Sequence, residues 1–208
     1  MPSGIRTGQV TQVIGIAGCS GAGKTTVARA LADRLMGGAV LLPLDAYYRD
    51  LSQSTPEERK GANFDEPDAF DVPLLVTHIQ ALSEGHFVDR PTYDFVRHCR
   101  QIETVRVTPG AFVIVEGLLT FHWTAVRERC HPRIFLDAHD AVRLSRRVAR
   151  DATERGRSEA SVRRQWATTV AAMSTRYVDP TRKFADAVVD ARLPIDLIVS
   201  SVTQRFGW

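Results

Sequence analysis

Lysine is nearly missing from this chain: of 27 Lys and Arg residues in 208, only Lys24, Lys60 and Lys183 are lysines. Arginine is the default cation, so each lysine stands out by its position. Cysteine is equally scarce. Cys19, Cys99 and Cys130 are odd in number and scattered, with no metal-ligand spacing, which argues against a disulfide frame and for a reducing compartment, the cytoplasm. No run approaches the roughly 18 apolar residues of a membrane span. Met1 to Gln12 is short, polar and lacks a hydrophobic signal core, so a soluble protein without a membrane partner is expected. The formal net charge is only +3, without the broad basic excess of a nucleic-acid binder, and no nucleic-acid partner is expected. Repeats, low-complexity tracts and linkers are absent too, so residues 1–208 read as a single domain with excursions.

Against these absences stands one dense motif. Residues 18 to 25, Gly-Cys-Ser-Gly-Ala-Gly-Lys-Thr, form a GxxxxGK[ST] phosphate loop, preceded by the apolar run Val13–Ala17 and followed by a helical pattern from Thr25 to Met36. Backbone N–H groups that converge on one anion require glycine conformations at Gly18, Gly21 and Gly23. Lys24 would then reach the β- and γ-phosphates and Thr25 would ligate Mg²⁺, with the helix N-terminus adding its positive dipole.

Five short apolar runs, Val13 to Ala17, Ala39 to Leu44, Phe112 to Val115, Ile134 to Leu136 and Ala187 to Val189, read as buried strands. Helical patterns cover Thr25 to Met36, Val72 to Ser83, Ala141 to Glu154, capped by Asp140, and Ser158 to Tyr177, with a short closing helix near Pro194 to Gln204. This alternation predicts an α/β fold, a P-loop NTPase three-layer αβα arrangement with a five-stranded parallel sheet. Asp89 to Phe95 and Gln101 to Val107 break it and predict an antiparallel hairpin insertion, about 88–108, of the kind that covers a substrate. Ser52 to Asn63 reads as a polar, mobile loop.

Ligands of a parallel α/β sheet bind beyond the carboxyl ends of its strands. Asp45 and Glu116 follow two strand runs directly. Each could be only a cap or a turn residue, yet beside a phosphate loop both Mg²⁺ and a reacting hydroxyl call for a carboxylate. Arg143, Arg146, Arg147, Arg150, Arg155 and Arg157 are either a solvated basic face or the clamp of a phosphoryl-transfer site, with Arg155-Gly156-Arg157 as the turn of a lid, about 151–160.

The order of motifs resembles the uridine kinase (uridine-cytidine kinase) family. The resemblance rests on the phosphate loop, Leu44-Asp45-Ala46-Tyr47-Tyr48-Arg49, Asn63-Phe64-Asp65-Glu66-Pro67-Asp68-Ala69-Phe70-Asp71, Pro91-Thr92-Tyr93-Asp94-Phe95-Val96-Arg97-His98, Val115-Glu116-Gly117 and Arg150-Asp151-Ala152-Thr153-Glu154-Arg155-Gly156-Arg157. It spans about residues 13 to 190.

This resemblance implies an ATP-dependent kinase acting on the 5′-hydroxyl of uridine or cytidine, with Mg²⁺, as a homotetramer. It implies an ATP cradle of Gly18, Cys19, Ser20, Gly21, Ala22, Gly23, Lys24, Thr25 and Thr26, with Arg150 beside it. Asp45 would be the general base, acting with Lys24, Arg155 and Arg157, and the metal would be held by Thr25, Asp45 and Glu116. The nucleoside would meet Tyr48, Asp65, Tyr93, His98, Arg147, Arg157 and Gln165. From the residues alone, Tyr93 and Phe95 could equally pack the hairpin, His98 could be a surface residue, and Asp65 could be a solvated loop acid.

The chain departs from the family pattern at Ala46, where a small hydroxyl residue is usual. It departs again at Asp190-Ala191-Arg192-Leu193-Pro194, where a Gly-containing, Asn-rich turn is common near the adenine. A kinase for pantothenate, nicotinamide riboside or ribulose 5-phosphate is the alternative in the same fold. A nucleotide-switched regulatory protein is a more distant one, since no NKxD or LSGGQ-like motif is present and a switch needs no acceptor pocket.

Overall fold

The computed structural model describes residues 11–208; the reading of the N-terminal segment as free of a signal core falls mostly outside them. In chain order the elements are β1 (Gln12–Ala17), α1 (Lys24–Arg34), β2 (Ala39–Pro43), α2 (Pro56–Gly61), α3 (Val72–Ser83), β3 (Val88–Asp94), β4 (Cys99–Val107), β5 (Phe112–Glu116), α4 (Thr124–Arg127), β6 (Arg133–Asp137), α5 (Asp140–Glu154), α6 (Glu159–Gln165), α7 (Ala171–Met173), β7 (Ala187–Asp190) and α8 (Ile195–Phe206).

The five apolar strands form one parallel sheet in the order β2-β5-β1-β6-β7. Strand side chains alternate between faces, and β1 divides accordingly. Ile14 and Ile16 pack with Val27, Ala28 and Leu31 of α1 and Ile198, Val199 and Val202 of α8, whereas Val13 and Ala17 face Leu75, Ile79 and Leu82 of α3 with Phe121. Both faces are therefore covered, as a parallel sheet requires. Among the described residues no helix is long and apolar enough to cross a membrane.

Three local expectations are corrected. The stretch Ser158 to Tyr177 is not one α-helix: α6 passes into π-helical turns at Trp166–Val170 and Ser174–Val178, separated by α7. The cause is visible in its buried residues, Val162, Trp166, Val170, Ser174 and Val178, which recur every four positions. A 3.6-residue helix would rotate such a stripe steadily off the core, and wider π turns restore it. Helix α5 is preceded by His139 as its cap residue, without a side-chain cap, while Asp140 lies in the first turn and pairs with Arg143. The polar loop 52–63 contains α2, begun by a capping box in which Thr55 and Glu58 satisfy each other's backbone N–H groups.

Strands β3 and β4 form a separate antiparallel hairpin with a register shift between Pro91 and Tyr93. Arg100 fixes it over the sheet: its Nε donates to the Tyr48 carbonyl at 2.8 Å and its Nη2 to Asp71 Oδ2 at 3.1 Å, while its backbone N–H donates to Asp50 at 3.1 Å. Replacing Arg100 by Met keeps the stem and removes the charge-assisted bonds, and should destabilise the hairpin by about 1.5–3 kcal/mol. Amide exchange should accelerate across residues 88–107 and stay slow in β5; equal protection of the hairpin in both proteins would mean that apolar packing alone holds it.

Candidate active site

The phosphate loop spans the step from β1 to α1. Gly18 has φ 146° and Gly21 φ 79°, values that L side chains rarely adopt. A Cβ at Gly18 would also strike the Leu136 carbonyl oxygen, and one at Gly21 that of Arg143. The loop is thus seated directly on β6 and α5. Lys24 donates from Nζ to the Cys19 carbonyl at 3.1 Å. Burial lowers its pKa below the ordinary lysine value, against the support that Glu116 and Asp45 give the ammonium. Cys19 offers the site its backbone. Its thiol donates to Asp179 Oδ1 at 3.1 Å, and burial pushes its pKa up to about 12, so it is not a reactive thiol.

Strands β2 and β5 are neighbours, with Pro43 opposite Glu116, so the acids at their ends come side by side. Thr25 Oγ1 donates to Glu116 Oε1 at 2.9 Å. Glu116 is 5% exposed, and burial, reinforced by the charge of Asp45, raises its pKa against the opposing pull of Lys24 and the Thr25 hydrogen bond. Asp45 sits in a 3₁₀ turn, Leu44–Tyr47, with the Arg155 guanidinium 3.7 Å from its carboxylate. Among the described residues no group of three or more His, Cys, Asp or Glu could hold a metal by itself. A hydroxyl and two carboxylates are nevertheless oxygen donors of the kind Mg²⁺ takes when nucleotide phosphates complete its shell.

Beyond Asp45 lies an aromatic enclosure. Tyr48 stacks on Phe70 with ring centroids 4.4 Å apart and stands 5.2 Å from both Tyr93 and Phe64. His98 closes the hairpin turn at φ 55°, its N–H on the Asp94 carbonyl at 2.8 Å, and its ring lies 4.8 Å from that of Phe64 at an interplanar angle of 18°. Burial and then Arg157 and Arg155 lower the His98 pKa, outweighing Asp94. The Tyr93 hydroxyl is buried without a partner in the protein. Asp65 is 6% exposed, and burial raises its pKa although Arg147 favours its charged form.

The basic run is not a solvated face. Arg143, Arg147 and Asp151, at i, i+4 and i+8, are the buried residues of α5. Arg147 donates to Ser20 Oγ of the phosphate loop at 2.5 Å and to Gln165 Oε1 at 2.9 Å, and Arg157 shares that amide oxygen at 2.6 Å. Arg150 directs its guanidinium at Asp151, and Arg155 lies over the Phe95 ring at 4.5 Å. The predicted residues Lys24, Thr25, Asp45 and Glu116 thus gather at the strand ends, with Tyr48, Asp65, Tyr93 and His98 on the hairpin side and Arg155 reaching both Asp45 and Phe95. Gln165 faces the arginines through its oxygen. In the divergent turn, Arg192 folds onto Asp190 at 2.7 Å, while Arg146 ties the Ala191 carbonyl, at 3.0 Å, toward the phosphate loop, where it lies 3.5 Å from the Ala22 carbonyl.

Sequence reasoning assigned no part to Phe64, which flanks both His98 and Tyr48, or to Asp151, the common neighbour of the arginines. An aromatic next to the predicted substrate-side acid Asp65, and an acid four residues after Arg147, were the available signals.

Known proteins are similar to this chain in sequence and in fold. The family model described as Phosphoribulokinase / Uridine kinase family matches residues 13–198. A uridine kinase of Halobacterium salinarum is 43% identical over 176 residues, covering 85% of this chain and 78% of that protein. One of Chloroflexus aggregans is 40% identical over 195 residues, covering 91% and 93%. Among solved structures, D-glycerate 3-kinase of Cryptococcus neoformans var. grubii superposes with a TM-score of 0.64 at 15% identity, covering 91% of this chain and 89% of that one, a likeness of fold. With a family match running from β1 into α8 and relatives at 40–43% identity over most of its length, the chain belongs to the phosphoribulokinase/uridine kinase family.

Proposed function

We propose that this protein is an ATP-dependent uridine-cytidine kinase, a single domain that transfers the γ-phosphate to the nucleoside 5′-hydroxyl and yields UMP or CMP for pyrimidine salvage. One juxtaposition carries the reading: Asp45 stands just past the end of β2, next to Glu116 and three residues before Tyr48 of the aromatic cluster that Tyr48 forms with Phe64, Tyr93 and His98. Uridine kinase relatives at 40–43% identity support it.

In this reading the phosphate loop cradles the triphosphate and Lys24 balances its charge. Bound with the nucleotide, Mg²⁺ supplies charge neutralisation, and Thr25, Glu116 and Asp45 are the residues that would hold it. By donating to Glu116, the Thr25 hydroxyl turns its lone pairs outward. Asp65 receives the ribose hydroxyls, the Tyr93 hydroxyl finds in the nucleoside the partner it lacks, and neutral His98 offers a donor or acceptor to the pyrimidine edge. Asp45 orients the 5′-hydroxyl and takes its proton as phosphorus–oxygen bond formation proceeds. Arg155 and Arg157 stand where negative charge spreads over the transferred group, and their turn excludes water.

The cytoplasm is the proposed location, in keeping with three free thiols. The assembly is proposed to be a homotetramer, supported by the family pattern and by apolar side chains left outward on the hairpin, Ile102 at 98% exposure and Val96 at 71%. Light scattering on the purified protein should return the mass of four chains; a monomer would refute that assembly.

Exchange of Asp45 for Asn should lower kcat by about 10²–10⁴-fold, the range of general-base catalysis, with ATP binding little changed. Coupled ADP production over a nucleoside panel tests this: near-normal turnover would remove Asp45 as base, and phosphate release indifferent to every nucleoside would overturn the kinase. Replacing His98 by Ala should raise KM for uridine and cytidine about tenfold, the worth of one good hydrogen bond. Its folded pKa lies below the ordinary imidazole value of about 6.5, so the neutral ring prevails at pH 7. The stability linked to it is present above about 6.5 and lost as pH falls through the folded value. The acid limb of kcat/KM should therefore flatten in the Ala variant; an unchanged limb and KM would remove His98 from recognition.

A further inference from the structure

Asp151 has no role among the cradle, metal or nucleoside residues, yet its side chain is fully buried and faces four guanidinium groups. Its Oδ1 accepts from Arg150 Nε at 2.9 Å and Nη2 at 2.7 Å. Arg147 Nε and Arg157 Nη1 each stand 3.6 Å from Oδ2, and Arg155 Nε stands 3.8 Å from Oδ1. Oδ2 has no hydrogen-bond partner of its own in the protein. The Asp151 carbonyl also accepts the backbone N–H groups of Arg155 at 3.3 Å and Arg157 at 3.0 Å, shaping the turn that carries them.

The two carboxylate oxygens are used differently. One accepts two charge-assisted hydrogen bonds from Arg150. The other holds Arg147 and Arg157 at ion-pair distance without a hydrogen bond, so their donors turn elsewhere. Three of the arginines contact the rest of the site: Arg147 on Oδ2 reaches Ser20 of the phosphate loop, Arg157 on Oδ2 reaches Gln165, and Arg155, on the Oδ1 side, reaches Asp45. Without a shared counter-ion four cations this close would repel one another and spread apart. A buried carboxylate is costly to keep and destabilising to strip of partners, so an ionic hub here has a use that an apolar residue could not serve.

We propose that Asp151 is a positioning residue. It gathers Arg147, Arg150, Arg155 and Arg157 into one constellation before substrate arrives, and leaves Arg155 and Arg157 with donors free for phosphate oxygens. The proposal deepens the kinase reading and rests on it for its turnover arm.

Asp151→Asn keeps the shape and removes the charge. In the full chain it should lower kcat about 100-fold, in the range seen when one preorganised transition-state contact is lost. Affinity for a non-hydrolysable ATP analogue, read by calorimetry, should fall about tenfold, since the arginines would no longer be prearranged. Asp151→Glu, which retains the charge, should recover at least about a tenth of wild-type kcat. Arg157→Ala placed on the Asn variant should cost little beyond the larger single effect, because the two act as a unit.

A folded Asn variant with kcat and analogue affinity within about twofold of wild type would overturn the proposal, and so would single effects that multiply in the double variant. Should the Asn variant fail to fold, the same cycle on Asp151→Glu and Arg157→Ala decides, multiplication again counting against it. If wild type shows no nucleoside-dependent turnover, the kinase reading fails by itself, and the calorimetric arm still decides the role of Asp151.

Discussion

The architecture depends on an ionic stripe where a helix would ordinarily carry an apolar one. The buried positions of α5 are Arg143, Arg147 and Asp151, and the helix lies so close to the phosphate loop that Gly21 has no room for a side chain. Charges in such a place persist only with partners. The partners here are the loop itself, through Ser20, the following helix, through Gln165, and the turn at Arg155 to Arg157. Folding α5 onto the sheet and assembling the cationic half of the site are therefore one event.

The anionic half is set by strand order. Placing β2 beside β5 brings Asp45 to Glu116, and placing β5 beside β1 brings both to the phosphate loop. The charge of Asp45 reinforces the burial that raises the proton affinity of Glu116, while the same two acids support the Lys24 ammonium against the burial that lowers its pKa. The hairpin contributes from outside the sheet, and Arg100 rather than a shared strand fixes where Tyr93 and His98 stand.

Much of this was legible in the sequence because its signals are local. The five strands appear within one or two residues of the apolar runs, the phosphate loop declares itself by spacing, and Asp45 and Glu116 follow from the rule that ligands lie past strand ends. What was hidden is relational. The four-residue stripe from Val162 to Val178 resembles an ordinary amphipathic helix until the core demands π turns. The arginines of α5 resemble a solvated face because no single-residue property marks a cation as buried. Asp151 is one acid in a charged helix until its four neighbours converge on it, and the Phe64–His98 stack joins residues 34 positions apart through the hairpin.

The central strand has a bearing on how the protein is made. Both neighbours of β1 come from the second half of the chain, Gln12 pairing with Phe112 and Gly15 with Arg133. A growing polypeptide emerging from the ribosome must therefore carry its phosphate loop unsupported until β5 and β6 have been synthesised, and contacts of such long sequence separation form slowly. The glycine-rich segment is thus among the last to become native, and nucleotide retention marks completion of the whole sheet.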